Sequence, residues 1–395
     1  MRFLTVNHLR LGQSPGGIPP HIATDPRRFS TRTAWTQAVE QAIQHEVHAV
    51  LLCGDVFAEH ASVLEPWGPL VDGLSTLNQA RIPVIAIASG EFRPANLRHH
   101  APDADVHWLD SRLDWDPPFL TSMEDLDGLA VHIIEGTLAE SSDSPVENPI
   151  VLANIDQPDS IWILTNSVQP DAMFGEQALV IEPGAASAIS ATKTGRHGAW
   201  LIDTDMRDAE LIPVAGIEFA SIEIDVSDAD DLDSLESIVA SALVRVADDS
   251  RNDGSIASAL LVEAVLTGTT SLYPALKDTA NELERLLVLE HNQVTIALSG
   301  IEIDATPTIE LGPLLGRPDP VGELARLINA LETGEELSDA QSRLLTATEQ
   351  KLMTVNHARV FGAILDDTPA TDAQTLLLRQ SWATLDALVR QRGID

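Results

Sequence analysis

The sequence predicts an α/β fold: a parallel sheet with helices across its face, followed by a small α+β domain and a helical tail. Three observations carry this. Apolar runs alternate with helical patterns over the first hundred residues, as Arg2–Val6, Val50–Cys53 and Pro83–Ala88 do. Such alternation describes a βαβαβ unit, and strands that are apolar throughout belong to sheets covered on both faces. From about residue 105 the pattern changes to short strands. After about residue 318, leucines fall at helical spacing.

In chain order, a Gly- and Pro-rich loop, Gly12–Pro20, follows the first strand. Ser30 or Thr31 then caps a helix running to about Glu46, with Ala34, Ala38 and Ile43 facing inward. The second strand ends in Gly54-Asp55, and a helix over 63–79 leads to the third. Short strands are expected at 106–109, 129–134, 150–152, 161–164, 178–181 and 199–202, forming a second sheet packed on the first. Ser221–Val226 alternates as an edge strand does. Helices over 230–246 and 273–289, with strands over 260–266 and 294–303, complete the α+β part. Pro318-Asp319-Pro320 opens the tail, for which three helices are expected. The resulting domains are 1–215, 216–312 and 313–395.

Composition narrows the function. The chain has 395 residues, 24 Lys and Arg against 60 Asp and Glu, and a net charge of −36. A surface of that sign repels nucleic acid at long range, because binding DNA requires Lys and Arg to neutralise phosphates. The excess is uneven: residues 1–112 roughly balance, while 203–236 are dominated by acids. Cys53 is the lone cysteine, which excludes internal disulfides and cysteine-rich zinc sites. No run approaches the ~20 apolar residues of a membrane span. The start is too soon polar for a secretory signal, so a cytoplasmic location and no membrane partner are expected. The acid-rich turns at 203–205 and 228–233 lack the Gly and Glu of a calcium loop. No phosphate-cradling glycine loop and no Gly-x-Ser-x-Gly elbow occurs.

The order and spacing of several segments carry a resemblance. Met1–Leu4, Leu9-Arg10-Leu11-Gly12, Gly54-Asp55-Val56-Phe57 and Ile82–Ala88, then Glu182-Pro183-Gly184-Ala185, Gly195–Leu201 and Val265–Leu272, resemble the SbcD/YhaO-like DNA-repair exonucleases of the metallophosphoesterase superfamily. The resemblance implies a four-layer calcineurin-like sandwich, a capping domain, and a tail that docks on the coiled-coil base of an SMC-like (SbcC-type) ATPase. It also implies two metal ions, usually manganese, held by Asp, His and Asn to position a hydroxide for attack on a phosphodiester.

The ligand motifs depart from that pattern. His8-Leu9-Arg10 stands where the family has Asp-x-His, and Ser89-Gly90-Glu91-Phe92 where it has Gly-Asn-His-Asp. Glu135 replaces a histidine, and Thr165-Asn166-Ser167-Val168 replaces Gly-His-x-His. Of the family's ligands, Asp55 alone is kept. Arg10 cannot deprotonate. At ~5 Å from a dication, with an effective dielectric of ~20, it contributes repulsion on the order of 5 kcal/mol or more. The expectation is therefore a remnant pocket of His8, Arg10, Asp55, Glu91, Glu135 and Asn166, with no bound metal and with Arg10, and His8 if protonated, replacing the ions as counter-charge to Asp55, Glu91 and Glu135. In function this is a catalytically degenerate SbcD-like subunit that scaffolds or regulates an SMC-like ATPase, reaching DNA through the complex. Two alternatives stand beside it: a working manganese-dependent exonuclease with an altered site, and an interaction protein with no nucleic-acid role. A homodimer is compatible with each.

Overall fold

Hydrogen-bonded strands run in the order β10-β9-β1-β2-β3-β4 in the largest sheet. Their ranges are β1 (Arg2–Asn7), β2 (Ala49–Cys53), β3 (Val84–Ile87), β4 (Val106–Leu109), β9 (Gly198–Asp203) and β10 (Asp208–Pro213). Strands β1 to β4 are mutually parallel; β9 runs antiparallel to both β1 and β10. This computed structural model describes residues 1–20, 22, 29–58, 66–87, 91–109, 130–134, 160–164, 170–174, 178–190, 193–356 and 372–393.

The two faces of the sheet follow from the two-residue period of a strand. Leu4, Val6, Val50, Leu52, Val84 and Ala86 point to one face, where they pack against α1 (Thr31–Gln44) and α2 (Trp67–Gln79). Phe3, Ala49, Leu51, Cys53, Ile85 and Ile87 point to the other. There they meet Ile161, Ile163, Leu179 and Ile181 from a second sheet, ordered β5-β6-β8-β7. Its strands are β5 (Ala130–Ile134), β6 (Ser160–Leu164), β7 (Asp171–Phe174) and β8 (Ala178–Glu182). Helices thus cover one face of the parallel sheet and a second sheet covers the other. Each fully buried leucine or isoleucine in these layers stabilises the fold by roughly 1.5–3 kcal/mol.

The two helices pack closely because Gly73 of α2 has no side chain. A Cβ there would sit 2.1 Å from Nε1 of Trp35, which donates to the Pro69 carbonyl at 3.1 Å. Ala34, Trp35, Ala38, Val39 and Ala42 form the buried stripe of α1. Ile43, expected to face inward, is 39% exposed. Residues 34, 38 and 42 lie four apart along one face, and residue 43 is rotated about 100° past it.

The chain forms two compact units. One comprises Met1–Ala220, Val244–Val262 and Val288–Ser299; the other comprises Ser221–Leu243, Glu263–Leu287 and Gly300–Asp395. A further sheet runs in the order β11-β12-β15-β14, with β11 (Ile217–Asp225), β12 (Ala259–Thr267), β14 (Val288–His291) and β15 (Val294–Ile303). Asn292 and Gln293 turn β14 into β15 at φ 49 and 67, the left-handed pair that a two-residue hairpin of type I′ requires. Strand β13 (Thr269–Thr270) pairs with β16 (Thr306–Pro307).

Within the second unit, α7 (Pro320–Thr333) begins at Asp319, whose carboxylate accepts the Gly322 N–H at 3.2 Å, with Pro at the first helical position. The short α6 (Gly312–Leu315) precedes it. Val321, Ala325 and Ile328 of α7 pack with Trp382 and Leu385 of α9 (Ala373–Arg392). Leu327, Leu331 and Leu377 form an adjoining cluster that Leu345 of α8 (Asp339–Asn356) joins. The leucine stripes of α7 and α9 therefore build a core. The α8 stripe is divided: Leu345 packs, while Leu344 is 46% and Met353 is 63% exposed.

Several elements differ from the sequence expectation. The helix expected to run to residue 289 stops at Leu286 as α5 (Tyr273–Leu286), and strand β14 starts two residues later. The helix expected over 230–246 is α4 (Leu232–Asn252), six residues longer at its C-terminus. Strands β7 and β10 and the short helix α3 (Pro94–His100) were not anticipated. The strand expected over 150–152 lies outside the described residues.

Candidate functional site

Parallel pairing brings the carboxyl ends of β1, β2 and β3 to one edge of the sheet. The register pairs Asn7 with Cys53, so His8 and Gly54-Asp55 leave the sheet side by side. The two exit loops do not separate. His8 N–H donates to the Cys53 carbonyl at 3.2 Å, Arg10 N–H to Asp55 at 2.8 Å and Leu11 N–H to Val56 at 2.8 Å, and Ala58 N–H returns to Leu11 at 3.1 Å. Leu9 and Leu11 are fully buried beneath them. With the leucines pointing down, His8 and Arg10 point to the rim. Both take left-handed backbone, at φ 43 and 47. For residues carrying a Cβ this costs on the order of 1 kcal/mol each. The Thr31 hydroxyl lies 3.0 Å from the Arg10 carbonyl and 3.3 Å from that of Gln13, fastening the loop to the start of α1.

Gly54 is fitted to this edge on two counts. Its φ is +62, and a Cβ there would fall 2.4 Å from Oδ1 of Asn7 and 2.8 Å from Nδ1 of His8. Asn7 is itself fixed: its Nδ2 donates to the Gly184 carbonyl at 3.0 Å, and its own carbonyl accepts the Ala186 N–H at 2.9 Å. The segment after β8 is thereby drawn to the same edge.

The side chains give this edge its chemistry. The Asp55 N–H donates to Nδ1 of His8 at 3.1 Å. Oδ2 of the same Asp55 stands 3.3 Å from that ring nitrogen. Nδ1 of His8 is thus shared between the backbone and the carboxylate of one residue. The countercharge comes from Arg10, whose Nη2 lies 3.8 Å from Oδ2. Asp55 is 57% exposed, and a pair this long and this wet contributes between zero and about 1 kcal/mol. Among the described residues, that contact is the one polar interaction of the Arg10 guanidinium.

Glu91 follows β3 and turns elsewhere. Nδ2 of Asn96 on α3 donates both to its carbonyl, at 2.8 Å, and to its Oε2, at 3.0 Å. Its neighbour Phe92 is wholly buried and packs edge-on to Phe57 at 6.1 Å and tilted on Trp108 at 4.9 Å. Phe57 also meets Trp67, which stacks on His100 at 4.4 Å. An aromatic cluster thus fills the space under this part of the rim. Glu135 and Asn166 lie outside the described residues.

Among the described residues, no three His, Cys, Asp or Glu side chains converge as a metal-binding group. Among the described residues, the rim carries one exposed carboxylate, an imidazole nitrogen hydrogen-bonded to backbone, and a guanidinium. A two-metal centre needs several carboxylate and free imidazole donors, which the described rim residues alone do not supply. Cys53 adds nothing: it is buried, and burial pushes its thiol far above the ordinary range. Sequence reasoning did not count Asn7 and Thr31 among the site residues, yet they hold the rim in place. Their signal was a lone polar residue ending an apolar strand and a hydroxyl opening a helix.

No helix among the described residues is long and apolar enough to cross a membrane. No family model and no curated protein matches the sequence. The chain is similar to the solved structure of TT1561 from Thermus thermophilus, at 11% identity over 54% of this chain and 98% of that one, with a TM-score of 0.30. It is similar to protein TM1076 of Thermotoga maritima at 12% identity over the same shares, with a TM-score of 0.24. The strands and helices themselves define a mixed α/β protein.

Proposed function

We propose that the chain is a catalytically silent relative of the SbcD-type exonucleases, keeping a calcineurin-like sandwich for its shape and serving as scaffold or regulator of an SMC-like ATPase in DNA processing. One observation carries the reading: the strand-end carboxylate of Asp55 is accompanied by a permanent cation, Arg10, at 3.8 Å. A dication beside Asp55 would share its space with that charge, a repulsion on the order of 5 kcal/mol at an effective dielectric of ~20. Support also comes from the motif that ends in Glu91-Phe92, where Phe92 is part of the hydrophobic core and Glu91 is held by Asn96. Helices on one face of the parallel sheet and a second sheet on the other suit the sandwich.

Calorimetric titration with Mn²⁺ and a nuclease assay on single- and double-stranded DNA test the reading. The expected result is no saturable Mn²⁺ binding and no cleavage. Mn²⁺-dependent hydrolysis by the wild-type chain would sink it. Arg10→Ala is expected to raise Mn²⁺ affinity by removing the repulsion; unchanged affinity together with unchanged stability would remove Arg10 from the argument. For the partner, Leu344→Asp and Met353→Asp on α8 probe docking against the coiled-coil base of the ATPase without disturbing the packed α7–α9 core. Co-purification that survives both substitutions would exclude α8 as the contact. The net charge of −36 favours a second reading, an interaction protein without a nucleic-acid role. Salt-dependent DNA binding by the ATPase complex but not by the chain alone separates the two.

A further inference from the structure

A cavity in the first unit, remote in sequence from the strand-end rim, is lined by Arg196, His197, Glu218 and Ser255, with Pro213, Ala215, Ile217 and Ala257 as apolar walls. It spans about 240 Å³ including its open mouth, and its enclosed part has room for about one water-sized particle. Arg196 follows Gly195, which bridges to Phe219 of β11. Its Nη2 donates to the Leu211 carbonyl at 3.3 Å, while its Nε is buried with no acceptor among the described residues. A buried donor on a charged group does not stay unpaired without cost.

The neighbours leave that donor to something else. Glu218 lines the same cavity but forms no ion pair with Arg196; its Oε2 accepts the Ser250 hydroxyl at 2.9 Å. Both ring nitrogens of His197 face carbonyls, Ala185 at 3.1 Å and Lys193 at 3.3 Å, so the ring offers the cavity nothing. Ser255, 8% exposed, accepts the Ala257 N–H at 3.2 Å on its Oγ, which leaves its own O–H free to donate. Arg251 braces the same turn through the Ser255 carbonyl at 2.6 Å.

We propose that this cavity binds a single monovalent anion of halide size, held by Arg196 Nε–H and the Ser255 hydroxyl. Both donors line the same cavity, and a donor carried by a guanidinium favours a charged acceptor over a neutral one. The small enclosed space and the nearby Glu218 select against phosphate, sulfate and larger carboxylates. The cavity is lined by none of the residues of the Asp55 edge, and its proposed role does not depend on the function proposed above.

Thermal melts of the full chain in sodium bromide and in sodium gluconate at matched ionic strength test it, since gluconate screens charge equally but is too large to enter. The wild type should gain a saturable stabilisation specific to bromide. Arg196→Gln should abolish that difference, and Ser255→Ala should weaken bromide binding about tenfold. Equal responses to the two salts, or a bromide effect that persists in Arg196→Gln, would overturn the proposal. Should Arg196→Gln fail to fold, Ser255→Ala and the bromide anomalous signal in wild-type crystals decide. A peak within hydrogen-bond reach of Arg196 Nε supports the site; a water there refutes it.

Discussion

Replacing Gly54 with alanine separates two contributions at the Asp55 edge, packing and charge. The alanine must adopt φ near +62, which costs about 1–2 kcal/mol for a residue with a Cβ. Its methyl group would also lie 2.4 Å from Oδ1 of Asn7 and 2.8 Å from Nδ1 of His8. Neither neighbour is a free side-chain end. Asn7 is held by its buried bond to the Gly184 carbonyl, and His8 by the Asp55 N–H; displacing either forfeits a hydrogen bond worth about 1 kcal/mol. The sum is a loss of roughly 2–4 kcal/mol. Asp55→Ala, by contrast, removes a carboxylate that is 57% exposed with its cation 3.8 Å away, and should change stability by less than about 1 kcal/mol. Urea denaturation followed by circular dichroism gives both values, and hydrogen exchange at the Arg10 and Leu11 amides reports the rim directly. A Gly54→Ala chain within about 0.5 kcal/mol of wild type, with those amides still protected, would refute the idea that this edge is locked by backbone and packing.

Gly73→Ala should be at least as damaging, because its Cβ meets the Trp35 indole at 2.1 Å; a unit with unchanged melting temperature and Trp35 fluorescence would contradict the packing described. Burial holds the His197 imidazole below its ordinary value near 6.5, so the unfolded chain takes up a proton that the folded chain refuses. Stability should therefore fall as pH drops below about 6.5, and the slope should shrink in His197→Gln; identical pH profiles would exclude the assignment. The Arg317 side chain beside Asp319, more than its helix cap, holds that carboxyl at about 2 against an ordinary 3.8. Its stabilising effect is present above pH 3.8 and lost as pH falls toward 2, so Asp319→Asn, which can still cap α7, should narrow the difference between melts at about pH 5 and about pH 2.

The layers were legible where a single physical rule governs them. Val50–Cys53 and Val84–Ile87 are apolar at every position because helices cover one face and a sheet the other, and that double burial is visible in the residues. Leu327, Ile328, Leu331 and Leu377 announced a helical core by spacing alone. What was not legible depended on partners far away. β10 reads as Asp-Ala-Glu-Leu-Ile-Pro and becomes a strand only because β9 lies beside it. β14 continues a helical pattern through Leu289, yet the left-handed pair Asn292-Gln293 reverses the chain and pairs it with β15. At the rim, residue types marked Arg10 and Asp55 as neighbours. No sequence pattern says that Asn96 captures Glu91, or that Asp55 N–H claims the nitrogen through which His8 would have acted.

The last helix is tied back to the body of its unit by charge. Arg379 pairs with Glu302 and, at 2.8 Å, with Asp304; Arg392 reaches Asp319 at 2.8 Å, opposite Arg317 at 2.9 Å. Cutting the chain ahead of α9 would strip Glu302 and Asp304 of their shared arginine and leave Asp319 with Arg317 alone. It would also uncover Val321, Ala325 and Ile328 to water. A shortened chain that lost a binding partner would then be reporting a collapsed unit rather than a missing contact. For this protein, truncation is a stability experiment, and any question about recognition by the C-terminal helices has to be put with single side chains.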